Sequence, residues 1–213
     1  MNPIASIHDG YVFNRRVRVL AGHLCKIIPQ DVSVLDIGCG DGTLTRALCE
    51  QRPDLTAEGI DVLVRKQTRV PVKEFDGDTI PHPDNSFDIA LFVDVLHHTN
   101  DPTILLREAA RVARRAIVLK DHTRNGFLAG PTLRFMDWVG NARHGVALPY
   151  NYWPEKKWRE TFDALNLTVA EWLPKLSLYP APASWFFDRS LHFIARLDLP
   201  SDAPDPPETE SKT

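Results

Sequence analysis

The chain has 213 residues, 43% hydrophobic and 25% charged, with 25 Lys and Arg against 28 Asp and Glu. This is the make-up of one globular domain with a sizeable core, and a formal net charge of −3 gives no sign of a nucleic-acid backbone or an anionic membrane as main partner. No apolar run is long enough to span a bilayer, "MNPIASIHDGYVFNRR" lacks the apolar centre of a signal peptide, and three cysteines without a CxxC pair fit a reduced, cytoplasmic protein.

Taken in chain order, residues 15–28 place Val17, Leu20, Leu24 and Ile27 on one helical face, and Pro29 stops the helix. "SVLDI" is a short β-branched strand, followed by the glycine-rich "GCGDG" and by "TLTRALCEQ", whose Leu44, Ala47 and Leu48 recur at helical spacing. "LTAEGIDV" and "VPVKEFDG" read as strands. "FDIALFV" is continuously apolar, as a strand covered on both faces must be. Asp101 as N-cap and Pro102 at the first helical position open a helix that turns Leu105, Ala109 and Val112 inward. "RAIVLKDH" is the fifth strand. The alternation predicts an α/β, Rossmann-like, doubly wound sheet with helices on both faces.

Beyond the fifth strand the pattern changes. Residues 123–153 exceed a plain connection and are expected to form a lid or substrate wall. "EKKWRETFDAL" aligns Trp158, Phe162 and Leu165 as a helix. "LTVAEWL" and "SLHFIARL" then follow without a crossover helix between them, so an antiparallel pair completes a seven-stranded sheet. One domain over residues 1–200 is expected, with the proline- and acid-rich residues 201–213 as a disordered tail.

Gly38, Gly40 and Gly42 stand between the first strand and its helix, where a sharp turn leaves bare main chain for a ligand. Asp61, about 20 residues beyond the last of them, is placed to accept from ribose hydroxyls. A dinucleotide site wants G-x-G-x-x-G and a pyrophosphate at the helix N-terminus. Here the spacing is G-x-G-x-G, with Asp36 and Asp41 on either side. These acids repel a pyrophosphate and suit the ammonium of an amino-acid-bearing nucleoside.

"VLDIGCGDG" resembles the first motif of the class I S-adenosylmethionine-dependent methyltransferases, and "FDGDTIPHPDNSFDIALFVDVLHH" and "LLREAARVARRAIVLKDH" extend the resemblance over about residues 30–122. The set looks like the small-molecule branch that includes ubiquinone and menaquinone biosynthetic methyltransferases. The resemblance implies S-adenosylmethionine as co-substrate. It puts Asp36, Gly38, Cys39 and Gly40 around the methionine part, Asp61 on the ribose and Val62 against the adenine. Asp76 and Gly77 would border the adenine edge, with Asp94 and Val95 near the transferable methyl. His82, where relatives carry a hydrophobic residue, and "ARRA", where they carry a Gly-Gly turn, depart from the pattern. Cys39 reads as a small packing residue rather than a nucleophile.

Methyl transfer from a sulfonium needs alignment and exclusion of water above all. A base is required where the acceptor must lose a proton. The candidates are Asp94, His97 and His98 after the fourth strand, Lys120, Asp121 and His122 at the fifth, and Asp137, Asn141, His144, Tyr150 and Tyr152 in the insert. His122 is the first choice, His97 the second, with Asp121 beside them. A metal on Asp94, Asp121, His122 and Asp137 is chemically feasible, but no spacing demands one; none is expected. Phe127, Phe135, Trp138, Tyr150, Tyr152 and Trp153 either receive a planar or apolar acceptor or form the insert's own core. The insert and residues 8–18 are expected to close over the ligands, with Tyr11 at the methionine end or packed on the sheet rim. The expected function is methyl transfer to a small molecule, without nucleic acid or membrane insertion. The alternative is a non-catalytic protein that binds S-adenosylmethionine as partner or sensor. Oligomeric state is left open.

Overall fold

The computed structural model describes residues 3–141 and 149–200, the side chains of residues 3–12, 137 and 139–141 excepted. The expected tail at 201–213, the Tyr11, Asp137 and Asn141 side chains, and His144 therefore lie outside the described residues. The chain runs α1 (Pro3–Ile27), β1 (Ser33–Ile37), α2 (Thr43–Gln51), β2 (Thr56–Asp61), β3 (Val72–Glu74), β4 (Phe87–Val93), a 3-10 turn (Leu96–His98), α3 (Pro102–Val112) and β5 (Ala113–His122). It continues through α4 (Ala129–Asn141), α5 (Glu155–Ala164), β6 (Thr168–Leu173), α6 (Ser184–Phe187) and β7 (His192–Asp198).

Seven strands form one sheet in the order β3-β2-β1-β4-β5-β7-β6. The first five are parallel, and β7 runs antiparallel to both β5 and β6. The antiparallel strand thus lies inside the sheet and not on its edge. β1 pairs with β2 on one side and β4 on the other, setting Ile37 beside both Ile60 and Phe92. The strand order reverses there, which opens a crevice beyond the carboxyl ends of β1 and β4.

Two apolar clusters cover the two faces. Ala90 and Phe92 of β4 point to α3 and α5, meeting Leu105, Ala109, Trp158 and Phe162. Ile89 and Leu91 point the other way, to Leu20, Leu24 and Ile27 of α1 and Leu48 of α2. Opposite faces of one strand are both dry, which is why its sequence shows no polar alternation. Asp101 caps α3 by accepting from the Thr103 N–H at 2.9 Å. The C-terminus of α1 is held from outside the helix. The Arg52 guanidinium donates to the carbonyls of Cys25 (2.8 Å), Ile28 (3.0 Å) and Pro29 (2.7 Å) and pairs with Asp54 at 2.6 Å. Carbonyls without an intrahelical partner are satisfied in this way.

The expected helix at 15–28 is longer, because α1 begins at Pro3. The third strand is shorter than expected, three residues at the sheet's edge. The insert contains α4, and the proline-rich loop after β6 contains the short α6.

Candidate active site

Gly38, Gly40 and Gly42 all adopt left-handed φ values of 75°, 63° and 76°. At Gly38 the requirement is double, since a Cβ would lie 2.6 Å from Val95 Cγ2. The bare Cα thus lets the β1 turn close on the segment after β4. At Gly40 a Cβ would meet nothing within 4 Å, so the space before it is open. A cavity of about 240 Å³ lies there, walled by Gly38, Gly40, Asp36, Asp41 and Asp94 and, from α1, by Phe13, Arg16, Val17 and Leu20. Residues of the predicted 8–18 cover do reach this cavity.

Asp36 at the end of β1 is buried and accepts from the Thr45 hydroxyl of α2. Burial pushes its carboxyl up to about 6; the Thr45 bond opposes that and the nearby Asp61 charge adds to it. Asp61 accepts from the Gly40 N–H at 2.7 Å and the Leu63 N–H at 2.9 Å, which ties the end of β2 to the glycine turn. Val62 is 56% exposed beside it. A Cβ on Gly77 would lie 3.2 Å from Val62 Cγ1, so the loops after β2 and β3 meet at these two residues. Asp76 shapes its own turn, accepting from the N–H groups of Asp78 (2.9 Å) and Thr79 (2.7 Å). Cys39 lines the cavity and rests on β2, where a Cβ on Gly59 would meet its Sγ. Burial, with the charges of Asp36 and Asp61, drives its thiol pKa far up, which suits a packing role and no nucleophile.

Asp94, at φ 59°, closes the far end. One carboxylate oxygen pairs with Arg16 of α1, the other with the buried ammonium of Lys120. Burial opposes ionisation of Asp94, but Lys120 and Arg16 outweigh it and hold the pKa below the usual range. Behind this pair stand the histidines. His97 Nδ1 donates to Asp121 Oδ1 at 2.7 Å, and the same carboxylate accepts from the backbone N–H of His122 (2.7 Å) and of Leu96 (3.0 Å). His122 Nδ1 stands 3.3 Å from His97 Nδ1 and 3.6 Å from Asp94 Oδ1. Burial, then the Lys120 charge, depress the His122 pKa well below the ordinary value, so this imidazole is neutral and a weaker base than a free one. His192 of β7 faces His122 in register and lies 3.2 Å from Lys120 Nζ.

The structure therefore brings His97, Asp121, His122, Lys120 and Asp94 together and joins them to the glycine-turn cavity. Tyr152 of the insert stacks on His97 at 5.6 Å and meets His122 edge-on at 5.8 Å. The insert's aromatics divide: Tyr152 and Trp153 are buried, whereas Phe127, Phe135 and Trp138 are exposed. Asp94, His97 and His122 present ligand atoms within 4.8 Å of one another, but both Asp94 oxygens already bear a cation.

Arg16, Thr45 and His192 were not among the sequence candidates. Arg16 had a readable signal, an arginine four residues before Leu20 on the apolar face of α1. His192 had none, because only the β5–β7 register sets it opposite His122.

The donor set fits S-adenosylmethionine: acids and a bare turn for an amino-acid end, an arginine for its carboxylate, an acid at β2 for the sugar and apolar Val62 for a base. Comparison with known proteins agrees. Residues 10–171 match a family model described as a methyltransferase domain. An uncharacterized methyltransferase of Mycobacterium tuberculosis is 41% identical over 75 residues, covering 32% of this chain and 38% of the relative. The 27-O-demethylrifamycin SV methyltransferase of Amycolatopsis mediterranei is 30% identical over 130 residues, covering 51% of this chain and 47% of the relative. The chain thus spans less than half the length of these curated relatives. A chain in the complex between the Haloferax volcanii Trm112 methyltransferase activator and a methyltransferase superposes with a TM-score of 0.66 at 19% identity, over 92% of this chain and 96% of that one, a likeness of fold. The chain belongs to the methyltransferase domain family, whose co-substrate is S-adenosylmethionine.

Proposed function

We propose that the protein methylates a small-molecule acceptor with a planar or apolar part, of the kind handled by the ubiquinone and menaquinone branch, and that the Asp121–His97–His122 cluster takes the acceptor's proton. When bound, S-adenosylmethionine supplies an electrophilic methyl on a sulfonium with a neutral thioether as leaving group. The chain's own task is then to hold, align and dry the site. In this reading Asp36 and Asp41 receive the ammonium, Arg16 the carboxylate, Asp61 the ribose hydroxyls, and Val62 with Gly77 the adenine. The observation that carries the proposal is the 2.7 Å bond from His97 Nδ1 to Asp121, in a cluster that touches the cavity through Asp94. A carboxylate that holds one ring nitrogen fixes the tautomer and stabilises the imidazolium that forms on proton uptake.

The reading favours His97 as the base, since His122 Nδ1 lies 3.5 Å from Asp121, beyond a good hydrogen bond. Incubation with methyl-labelled cofactor and fractionated extract identifies the acceptor. With that acceptor, His97→Gln and His122→Asn are compared by pH profile. Loss of the alkaline-rising limb in His97→Gln, with a 10²-fold or greater fall in turnover of the order general-base loss causes, supports the proposal. A normal profile in both variants overturns it.

A further inference from the structure

One face of the molecule carries features that the cofactor cavity does not use. Phe127 is 85% exposed, Trp185 70%, Phe186 61%, Trp138 59%, Phe135 54% and Leu128 53%. They are grouped. Phe127 and Leu128 lead into α4, Phe135 and Trp138 lie on it with rings 6.5 Å apart, and Trp185 and Phe186 stand on α6. Arg189, just past α6, donates to Thr132 Oγ1 of α4 at 3.4 Å, so the two helices flank one surface. A grouped apolar patch of this kind marks an interaction site.

Arginines are interleaved with the aromatics. Arg124 precedes Phe127, Arg134 adjoins Phe135, and Arg189 follows Trp185 and Phe186. Among the described residues no carboxylate pairs with Arg124 or Arg134; Arg134 lies over the Tyr150 ring at 5.3 Å. Asp188 turns inward and accepts from the N–H groups of Leu178 and Tyr179 (both 3.1 Å). Asp137 is the one acid in the sequence of α4. Separately, a cavity of about 230 Å³ opens between Arg124, Gly130, Pro131, Arg134, Tyr150 and Tyr152, with no acid in its wall. Its Tyr152 wall is the ring that touches His97 and His122.

We propose that this face docks on an anionic phospholipid bilayer, with its aromatics in the interfacial layer and a lipid phosphate seated between Arg124 and Arg134. Trp, Phe and Leu mixed with arginine is the composition that lies in a membrane interface. No described helix is long and apolar enough to cross a membrane, so the contact is peripheral. The net charge of −3 hides this face because it averages over the chain. A second copy fits less well, since a two-fold axis through the patch sets its arginines against their own images.

The test is co-sedimentation of the whole 213-residue chain with vesicles of phosphatidylcholine alone and with roughly one third phosphatidylglycerol. The expected result is binding to the anionic vesicles that weakens with salt and drops about tenfold or more in Phe127→Ser/Trp185→Ser and in Arg124→Glu/Arg134→Glu. Melting temperature and S-adenosylhomocysteine affinity, measured on the same variants, stay at wild-type values and show that they are folded. Docking does not depend on the methyl-transfer reading, because no turnover is measured. Absence of binding to anionic vesicles overturns the proposal, as does equal binding by both variants. A stable dimer that the Ser variant dissociates also overturns it, in favour of a second copy.

Discussion

Arg16 on α1 and Asp94 beyond β4, 78 residues apart in the chain, form an ion pair across the mouth of the glycine-turn cavity. The helix that covers the cavity is thereby tied to the strand end nearest the histidines. Arg16→Met removes the tie and, in the proposed function, the partner of the cofactor carboxylate. We expect S-adenosylhomocysteine to bind about tenfold more weakly by calorimetry, the loss of one charged hydrogen bond. Unchanged affinity removes Arg16 from the site.

Gly38→Ala and Gly40→Ala separate strain from obstruction. Both place a side chain at positive φ, which costs on the order of 1–2 kcal/mol, but only the first also collides with Val95. Gly38→Ala is expected to show the larger fall in melting temperature. Gly40→Ala is expected to keep more of its stability and still lose cofactor binding, because its methyl enters the open space. Equal melting temperatures for the two contradict the packing described at Gly38.

Asp36 yields a pH prediction. Its folded pKa, about 6, lies above the ordinary aspartate value of about 4, so between these values the folded state holds a proton that the unfolded state has lost. Stability then falls as pH rises from about 4 to about 6, and the penalty stays constant above that. Asp36→Asn removes the penalty. Relative to wild type it is expected to gain stability at pH 8, by at most on the order of 3 kcal/mol, and to gain little at pH 4. The variant should bind S-adenosylhomocysteine more weakly at both. A constant stability difference across this range in chemical denaturation refutes the assignment.

Lys120→Met tests the charge behind His122. The ammonium depresses the His122 pKa, second to burial, and supports the buried Asp94 carboxylate. Its removal is expected to raise the His122 pKa, read by NMR titration of the ring. It is also expected to destabilise the fold by about 3 kcal/mol, as breaking a buried pair does. An unmoved His122 titration shows that burial alone sets the value.

Away from the cavity, Arg52→Ala strips three carbonyls at the end of α1 of their donor. A loss of about 2 kcal/mol in urea denaturation is expected, with cofactor affinity little changed. A loss under about 0.5 kcal/mol would mean that water replaces the guanidinium without cost.

The parts of this fold that could be read from sequence are those whose signal is local. β4 and β5 are buried on both faces, so their apolar runs announce them. The glycine turn and Asp61 were readable from their spacing at two successive strand ends, and the Asp61 carboxylate accepts from the Gly40 N–H. α4 gave no helical stripe because its largest side chains, Phe135 and Trp138, face outward while Leu133 faces in. At four residues, α6 is too short for any period to show. The start of α1 was obscured by Asp9 and Gly10, poor helix formers inside the helix. Within the site, Arg16–Asp94 and His122–His192 join distant segments by packing and strand register, and no local pattern encodes either.

The position of β7 has a consequence for how the molecule is assembled. Until residues 192–198 have been made, β5 is left with a bare edge, a template for stray pairing with other chains. β6 can take its place only against β7, and His192 comes to His122 and Lys120 by the same step. Nascent chains halted before this point should be sticky and lack the ring beside Lys120, since the strand that seals the sheet is also the one that carries His192.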